Sequence, residues 1–221
     1  MLLAVDTSTA QVGIAVYDGS QVIGEYAWRS SQRHTVELAP AIHELLKRCG
    51  LTMQEIRALG VALGPGSFTS LRVGLSLVKG LALARQLSLV GIPTLDVLAA
   101  AQPSSRLPLV VAIQAGRGRF AAGWYKSSKH GWQAKGSARV LTLEALIDEV
   151  RSSVILCGEF TSEHRQKLAN KSEIRLISPA QSVRRPAILA ELAWARWQSG
   201  QVDNEATLTP IYLHVAGSIP A

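Results

Sequence analysis

Cysteine is scarce: Cys49 and Cys157 are the two thiols in 221 residues. They lie far apart in apolar surroundings, which argues against a disulfide scaffold or a thiolate metal site. Acids are also few, with 16 Asp and Glu against 23 Lys and Arg and a formal charge of +7. The histidines, His34, His43, His130, His164 and His214, include no pair three or four positions apart. No two imidazoles are therefore set on one helix face, as a zinc hydrolase needs. Although 48% of the residues are hydrophobic, no apolar run is long enough to predict a membrane helix. Residues 1–5 lack a basic leader region and are broken by Asp6, so they predict a first strand rather than a signal peptide. A cytoplasmic chain of one large or two small domains is expected.

Glycine and small apolar residues are abundant, and their densest stretch organises the first half. Residues 59–63 are an apolar run that predicts a short buried strand, and Gly64-Pro65-Gly66 ends it in a tight turn. Ser67 or Thr69 then offers an oxygen to cap a helix. That helix, over about 70–85, has Leu71, Leu75, Val78 and Ala82 on one stripe and Leu77, Leu81 and Ala84 beside it. Gly74 and Gly80 inside it each cost ~1 kcal/mol relative to alanine. A close approach is expected there, by another part of the chain or by a partner's helix. The turn lacks the Lys of a G-x-x-x-x-G-K-[ST] loop, the third glycine of G-x-G-x-x-G and the flanking glycines of a nucleophile elbow.

Strands are predicted over 2–6, 11–17 and 21–27, the last two joined by the hairpin signal Asp18-Gly19. Asp6 ends the first strand and Thr7, Ser8 and Thr9 follow. Such residues either cap a turn or present a carboxylate and hydroxyls to Mg-bound phosphates. Over 35–50, Leu38, Ile42, Leu45, Leu46 and Cys49 fall at helical spacing, Gly50 closes the helix, and Pro40 is expected near its first turn. Thr52-Met53-Gln54-Glu55 matches a capping box for a further short helix. After a helical piece at 95–101, Gln102-Pro103-Ser104-Ser105-Arg106 has a linker's composition, which predicts lobes at 1–103 and 104–221. The second half predicts strands at 109–113, 120–125 and 132–141, a helix at 142–150 capped by Thr142, a strand at 154–157 and a helix at 163–169. A strand at 174–177 and a helix at 186–198 follow. The α/β order βββαβα thus occurs twice, as in the actin-like ATPase superfamily.

Two segments carry a resemblance to a known family: Gly64-Pro-Gly-Ser-Phe-Thr-Ser-Leu-Arg-Val-Gly-Leu75 running on to Lys79-Gly80-Leu81-Ala82, and the opening Ala4-Val5-Asp6-Thr7-Ser8-Thr9. They resemble the TsaB (YeaZ) family of bacterial tRNA modification. The ending Pro210-Ile211-Tyr212-Leu213-His214 is similar to the family's Pro-x-Tyr-Leu-Arg, with His for Arg. The resemblance implies a two-lobed actin-like, ribonuclease H-like fold. It also implies a non-catalytic subunit that pairs with the catalytic relative TsaD and works with the ATPase TsaE. Their complex forms N6-threonylcarbamoyladenosine at position 37 of tRNAs reading codons that begin with A. TsaD is known for a histidine pair that is missing here. Gln114, in Ala112-Ile113-Gln114-Ala115-Gly116-Arg117, stands where the family reads the acid of Asp-Ala-Arg, and a neutral amide can neither act as a base nor neutralise Mg²⁺. The resemblance implies no cofactor of its own, with ATP or ADP at interfaces of the larger complex. The alternative is a free-standing ATPase or phosphotransferase using Asp6, Thr7 and Ser8 with Gly64, Gly66, Ser67 and Thr69.

Two surfaces follow. The first-lobe helices carry more apolar residues than one sheet face covers. Leu38, Ile42, Leu45 and Leu46, with Leu71, Gly74, Leu75 and Val78, are therefore the candidate partner face, in a four-helix bundle with TsaD or, in its absence, a second copy. Between Arg106 and Arg139 lie Arg117, Arg119, Lys126, Lys129 and Lys135 with no acid, interleaved with Phe120, Trp124, Tyr125 and Trp132. Arg117, Arg119 and Lys126 are the candidate tRNA contacts on a cationic sheet face; the other reading is a sheet with aromatics inward and lysines in water.

Overall fold

The strand Leu2–Asp6 (β1) is buried along its whole length, as a continuous apolar run must be when helices cover both faces of its sheet. In the computed structural model, which describes residues 1–31, 33–116 and 118–213, β1 is central in the sheet β3-β2-β1-β4-β5. Its other strands are β2 (Gln11–Tyr17), β3 (Val22–Arg29), β4 (Ala58–Ala62) and β5 (Ser88–Ile92). β1 pairs antiparallel with β2 and parallel with β4. Side chains alternate across a strand. Leu3 and Val5 therefore meet Leu38 and Leu45 of α1 (His34–Arg48) and Leu75 and Val78 of α2 (Phe68–Arg85). Leu2 and Ala4 join the opposite core.

A second sheet repeats the plan. Its order is β11-β10-β6-β7-β8, with β9 also paired to β7. The strands are β6 (Leu109–Gln114), β7 (Arg119–Ser128), β8 (Gly131–Ala134), β9 (Arg139–Thr142), β10 (Val154–Gly158) and β11 (Ile174–Leu176). β6 takes the place of β1, antiparallel to β7 and parallel to β10. After the short α3 (Thr94–Ala100), α4 (Leu143–Glu149) and α5 (Ser162–Ala169) supply Leu146 and Leu168 to its core. Thr142 caps α4 by accepting from the Ala145 amide. The duplicated α/β order is thus the one expected, and the fold is actin-like.

Four local expectations change. The strand expected over 132–141 is two, β8 and β9, because the chain turns at Gly136 with φ +82°, a conformation that favours glycine. The Thr52–Glu55 box forms, with the Thr52 amide and hydroxyl donating to the Glu55 carboxylate, but it closes only a turn. Pro40 sits inside α1 instead of in its first turn. The last difference concerns the lobes. The first compact unit is Met1–Val97 with Arg184–Ile211, and the second holds Leu98–Val183 with Tyr212 and Leu213. The division differs from a single cut after residue 103 because the second face of the first sheet needs a cover. The last helix, α6 (Pro186–Gln198), provides it, placing Leu189, Ala190 and Ala193 against Leu2, Ala4 and Ala58.

Candidate functional site

The candidate phosphate residues do come together, but they are closed on one another. Asp6, Thr7 and Ser8 leave the end of β1 buried at 2%, 2% and 0% exposure. The Ser8 amide donates to Asp6 Oδ1 at 2.8 Å, and the Thr7 hydroxyl donates to the Ser70 carbonyl at 2.7 Å. Ser8 Oγ lies 2.7 Å from Thr94 Oγ1, which also accepts from the Gly64 amide at 2.9 Å. The Ser67 amide donates to the Ser8 carbonyl at 2.6 Å. A Cβ on Gly66 would stand 2.2 Å from that same carbonyl, so the glycine permits one loop to lie directly on the other. Ser67 is the N-cap of α2 in extended conformation but makes no side-chain capping bond. Thr69, on the first turn of that helix, is exposed.

The decisive residue is one that the local pattern did not single out. Arg184, fully buried at its side chain, donates through Nε to Asp6 Oδ2 at 2.8 Å. Its Nη2 donates to Thr9 Oγ1 and the Gln11 carbonyl, each at 2.9 Å. A buried carboxylate at a strand end demands a counter-charge, which was the signal available. The partner lies 178 positions away, which no local pattern could identify. The Mg²⁺-nucleotide that actin-like folds hold does not fit here: a guanidinium already neutralises the carboxylate and the neighbouring amides have protein acceptors. In the second unit Gln114 is exposed at the end of β6. Among the described residues, no group of three or more His, Cys, Asp or Glu is placed to hold a metal ion.

The candidate partner face is corrected. Leu38, Ile42, Leu45 and Leu46 are 1%, 5%, 1% and 4% exposed, and Leu71, Leu75 and Val78 are 1%, 5% and 0% exposed. They are buried in the first unit's core, and only Leu38, Ile42 and Leu46 among them reach the floor of the clefts between α1 and α2. Gly74 belongs inside too, since a Cβ there would lie 2.2 Å from Thr7 Oγ1. A glycine in mid-helix serves the Asp6 loop rather than a second helix. The outer side of the same pair of helices remains apolar. Val36 on α1 and Phe68 at the start of α2 are 65% and 52% exposed, half-buried Leu77 and Leu81 line the groove between the helices, and Leu83, 71% exposed, stands on the other flank of α2. Adjoining clefts of about 440 and 510 Å³ run between α1 and α2, sharing Ala39 and Leu77. Arg72 lies over the Phe68 ring at 3.6 Å. On the other side of α1, the Trp28 indole N–H, followed by the Ser30 hydroxyl, holds the Glu37 carboxyl below its ordinary value.

The candidate tRNA residues do not make one face. Arg119 and Lys126 are seven positions apart on β7. An odd separation turns two side chains to opposite sides of a strand. Arg117 lies outside the described residues, as does His214. Among the described residues no helix is long and apolar enough to cross a membrane.

Comparison with known proteins agrees with this fold. The family model of TsaD, tRNA N6-adenosine threonylcarbamoyltransferase, matches residues 26–180. The tRNA threonylcarbamoyladenosine biosynthesis protein TsaB of Bacillus subtilis is 30% identical over 97% of this chain and 94% of its own length. TsaB of Escherichia coli is 28% identical over 73% of this chain and 69% of its own. YeaZ from Pseudomonas aeruginosa has the same fold, with a TM-score of 0.76 at 24% identity over 96% of this chain and 99% of that one. With the duplicated sheet, the Asp6 and Gly64–Gly66 loops and near full-length likeness to these proteins, the chain belongs to the TsaB (YeaZ) family, which shares its fold with TsaD.

Proposed function

We infer that this chain is a non-catalytic subunit of the assembly that forms N6-threonylcarbamoyladenosine at position 37 of tRNA. It pairs with a TsaD-like catalytic subunit, and a TsaE-like ATPase and tRNA join through the complex. The observation that carries the non-catalytic reading is the buried Arg184–Asp6 pair. In an ATPase of this fold the equivalent carboxylate must meet a hydrated divalent cation; here it meets a fixed guanidinium. Gln114, in place of the acid of the second unit, supports the same reading. Any ATP or ADP of the assembly then sits at its interfaces, outside the Asp6 pocket.

Pairing is supported by the exposed apolar side of α1 and α2. The TsaD family model spans both helices, so a TsaD-like partner would present a related helix pair. Two such pairs can pack as four helices with ridges in grooves. When that partner is missing, a second copy of this chain takes its place. The test is reconstitution. Modification of tRNA by the TsaD-like and TsaE-like subunits should require this chain, while the isolated chain with Mg²⁺ should hydrolyse no ATP. ATP hydrolysis by the pure protein that is lost in Asp6→Asn would overturn the reading in favour of a free-standing ATPase.

A further inference from the structure

The second unit carries a cleft that the pairing reading leaves unused. It measures about 700 Å³ and is lined by Trp124, Lys135, Arg139, Glu149 and Arg151 with the turn at Gly136 and Ser137. The volume falls within the range of small-ligand sites. Trp124 and Arg139 come to it from neighbouring strands. Arg139 stands opposite Ala122 in the β7–β9 pairing, and Ala122 and Trp124, two apart on β7, share a sheet face. The Arg139 guanidinium lies over the Trp124 ring, 4.6 Å from its centroid. The same guanidinium pairs with the Glu149 carboxylate. Trp124 also packs against the core of the second unit, which holds the ring in place. The Lys135 amide donates to the Trp124 carbonyl at 2.7 Å, which anchors that residue beside the ring. Lys135 and Arg151 are exposed.

The cleft therefore combines a planar aromatic-guanidinium stack with two further cations, and its one carboxylate is already engaged by Arg139. Three cations against one acid suit an anion, and the stack suits a flat ring. A nucleotide has both: a base to lie on the stack and phosphates for Lys135 and Arg151. The surroundings favour a chain of phosphates over a single one. Between Asp96 and Glu144 the sequence has seven Lys and Arg and no acid, and Lys126 and Lys129 are exposed on the adjoining β7–β8 hairpin. We propose that this cleft binds an unpaired nucleotide of an RNA strand, stacking its base at Trp124 and Arg139 and holding its flanking phosphates with Lys135 and Arg151. The proposal rests on the reading of this protein as a subunit of a tRNA-modifying assembly. It centres the RNA contact on Trp124, Lys135, Arg139 and Arg151 in place of Arg119, with Lys126 on the adjoining hairpin.

The test is binding of a fluorescently labelled single-stranded RNA of mixed sequence to the full chain over a range of salt. Lys135→Glu with Arg151→Glu, both exposed, should weaken binding at least tenfold. The same change should flatten the salt slope by about 1.4, at ~0.7 for each phosphate no longer neutralised. Trp124→Leu keeps an apolar side chain toward the core, and its fold is verified by circular dichroism. It should weaken binding about five- to a hundredfold at an unchanged salt slope. Wild-type affinity and slope in the charge variant would overturn the site. An effect of charge with none of Trp124→Leu would overturn base stacking. Full competition by AMP at concentrations matching the RNA's nucleotides would replace RNA by a free mononucleotide. Pairing of the charge variant with the TsaD-like subunit, followed by sedimentation, is the separate measure of the parent reading. Intact pairing with abolished RNA binding supports the site, while absent pairing in wild type defeats only the parent reading.

Discussion

Arg184 and Asp6, 178 positions apart in sequence, form a salt bridge of 2.8 Å with side-chain exposures of 0% and 3%. The pair joins the end of the central strand to the segment that leads into α6, so the last helix is tied to the first strand at the point where a relative with ATPase activity would hold metal. Arg184 also donates to Thr9 Oγ1 and the Gln11 carbonyl, and Asp6 also accepts from the Ser8 amide; such added bonds let two buried charges persist.

Removal of either charge should therefore be a stability lesion before it is a catalytic one. Asp6→Ala and Arg184→Met should each cost ~3–5 kcal/mol, because each leaves the other ion buried and uncompensated. The double variant Asp6→Ala with Arg184→Met should cost less than the sum of the two. Urea unfolding of the three variants measures this. Additive losses would mean that the two residues act independently. Loss of tRNA modification in Asp6→Ala counts as catalytic only when the protein is shown to be folded.

The outer and inner sides of the first-unit helices should separate cleanly under mutation. Phe68→Glu and Leu77→Glu place a carboxylate on the exposed and half-buried lining of the cleft between α1 and α2. They should abolish pairing, with the melting temperature within a few degrees of wild type. Leu45→Glu and Leu75→Glu place it in the core and should unfold the chain, since an unpaired buried charge has no compensation. Thermal melts and sedimentation velocity read both. Wild-type pairing by a folded Phe68→Glu and Leu77→Glu double variant would remove these helices from the interface.

The glycines of α2 and its entry turn should respond with opposite signs. A Cβ at Gly66 or Gly74 would lie 2.2 Å from the Ser8 carbonyl oxygen or the Thr7 hydroxyl oxygen, whereas one at Gly80 meets nothing within 4 Å. Gly66→Ala and Gly74→Ala should destabilise and loosen the Asp6 loop. Gly80→Ala should stabilise the monomer by about 0.5–1 kcal/mol through the ordinary helix preference for alanine. Chemical denaturation gives all three values. Weaker pairing in the same Gly80→Ala protein would locate that glycine at a helix contact with the partner.

The sequence alone determined the repeated βββαβα order, most element positions and the family resemblance, because apolar periodicity, hairpin turns and helix caps are local properties written over a few residues. Asp18-Gly19 turned the chain and Thr142 capped its helix as their chemistry required. The tertiary structure alone decided which way each apolar stripe faced. Spacing shows that Leu38, Ile42, Leu45 and Leu46 share a side of a helix, yet it does not distinguish a side that meets the sheet from one that meets a partner. It decided the use of Gly74, which depends on a loop more than sixty residues earlier, and the split of residues 132–141, which depends on one backbone angle at Gly136. It also decided the fate of Asp6. A carboxylate after a buried strand is the same in sequence whether a metal or an arginine answers it, and only folding brought Arg184 to its side.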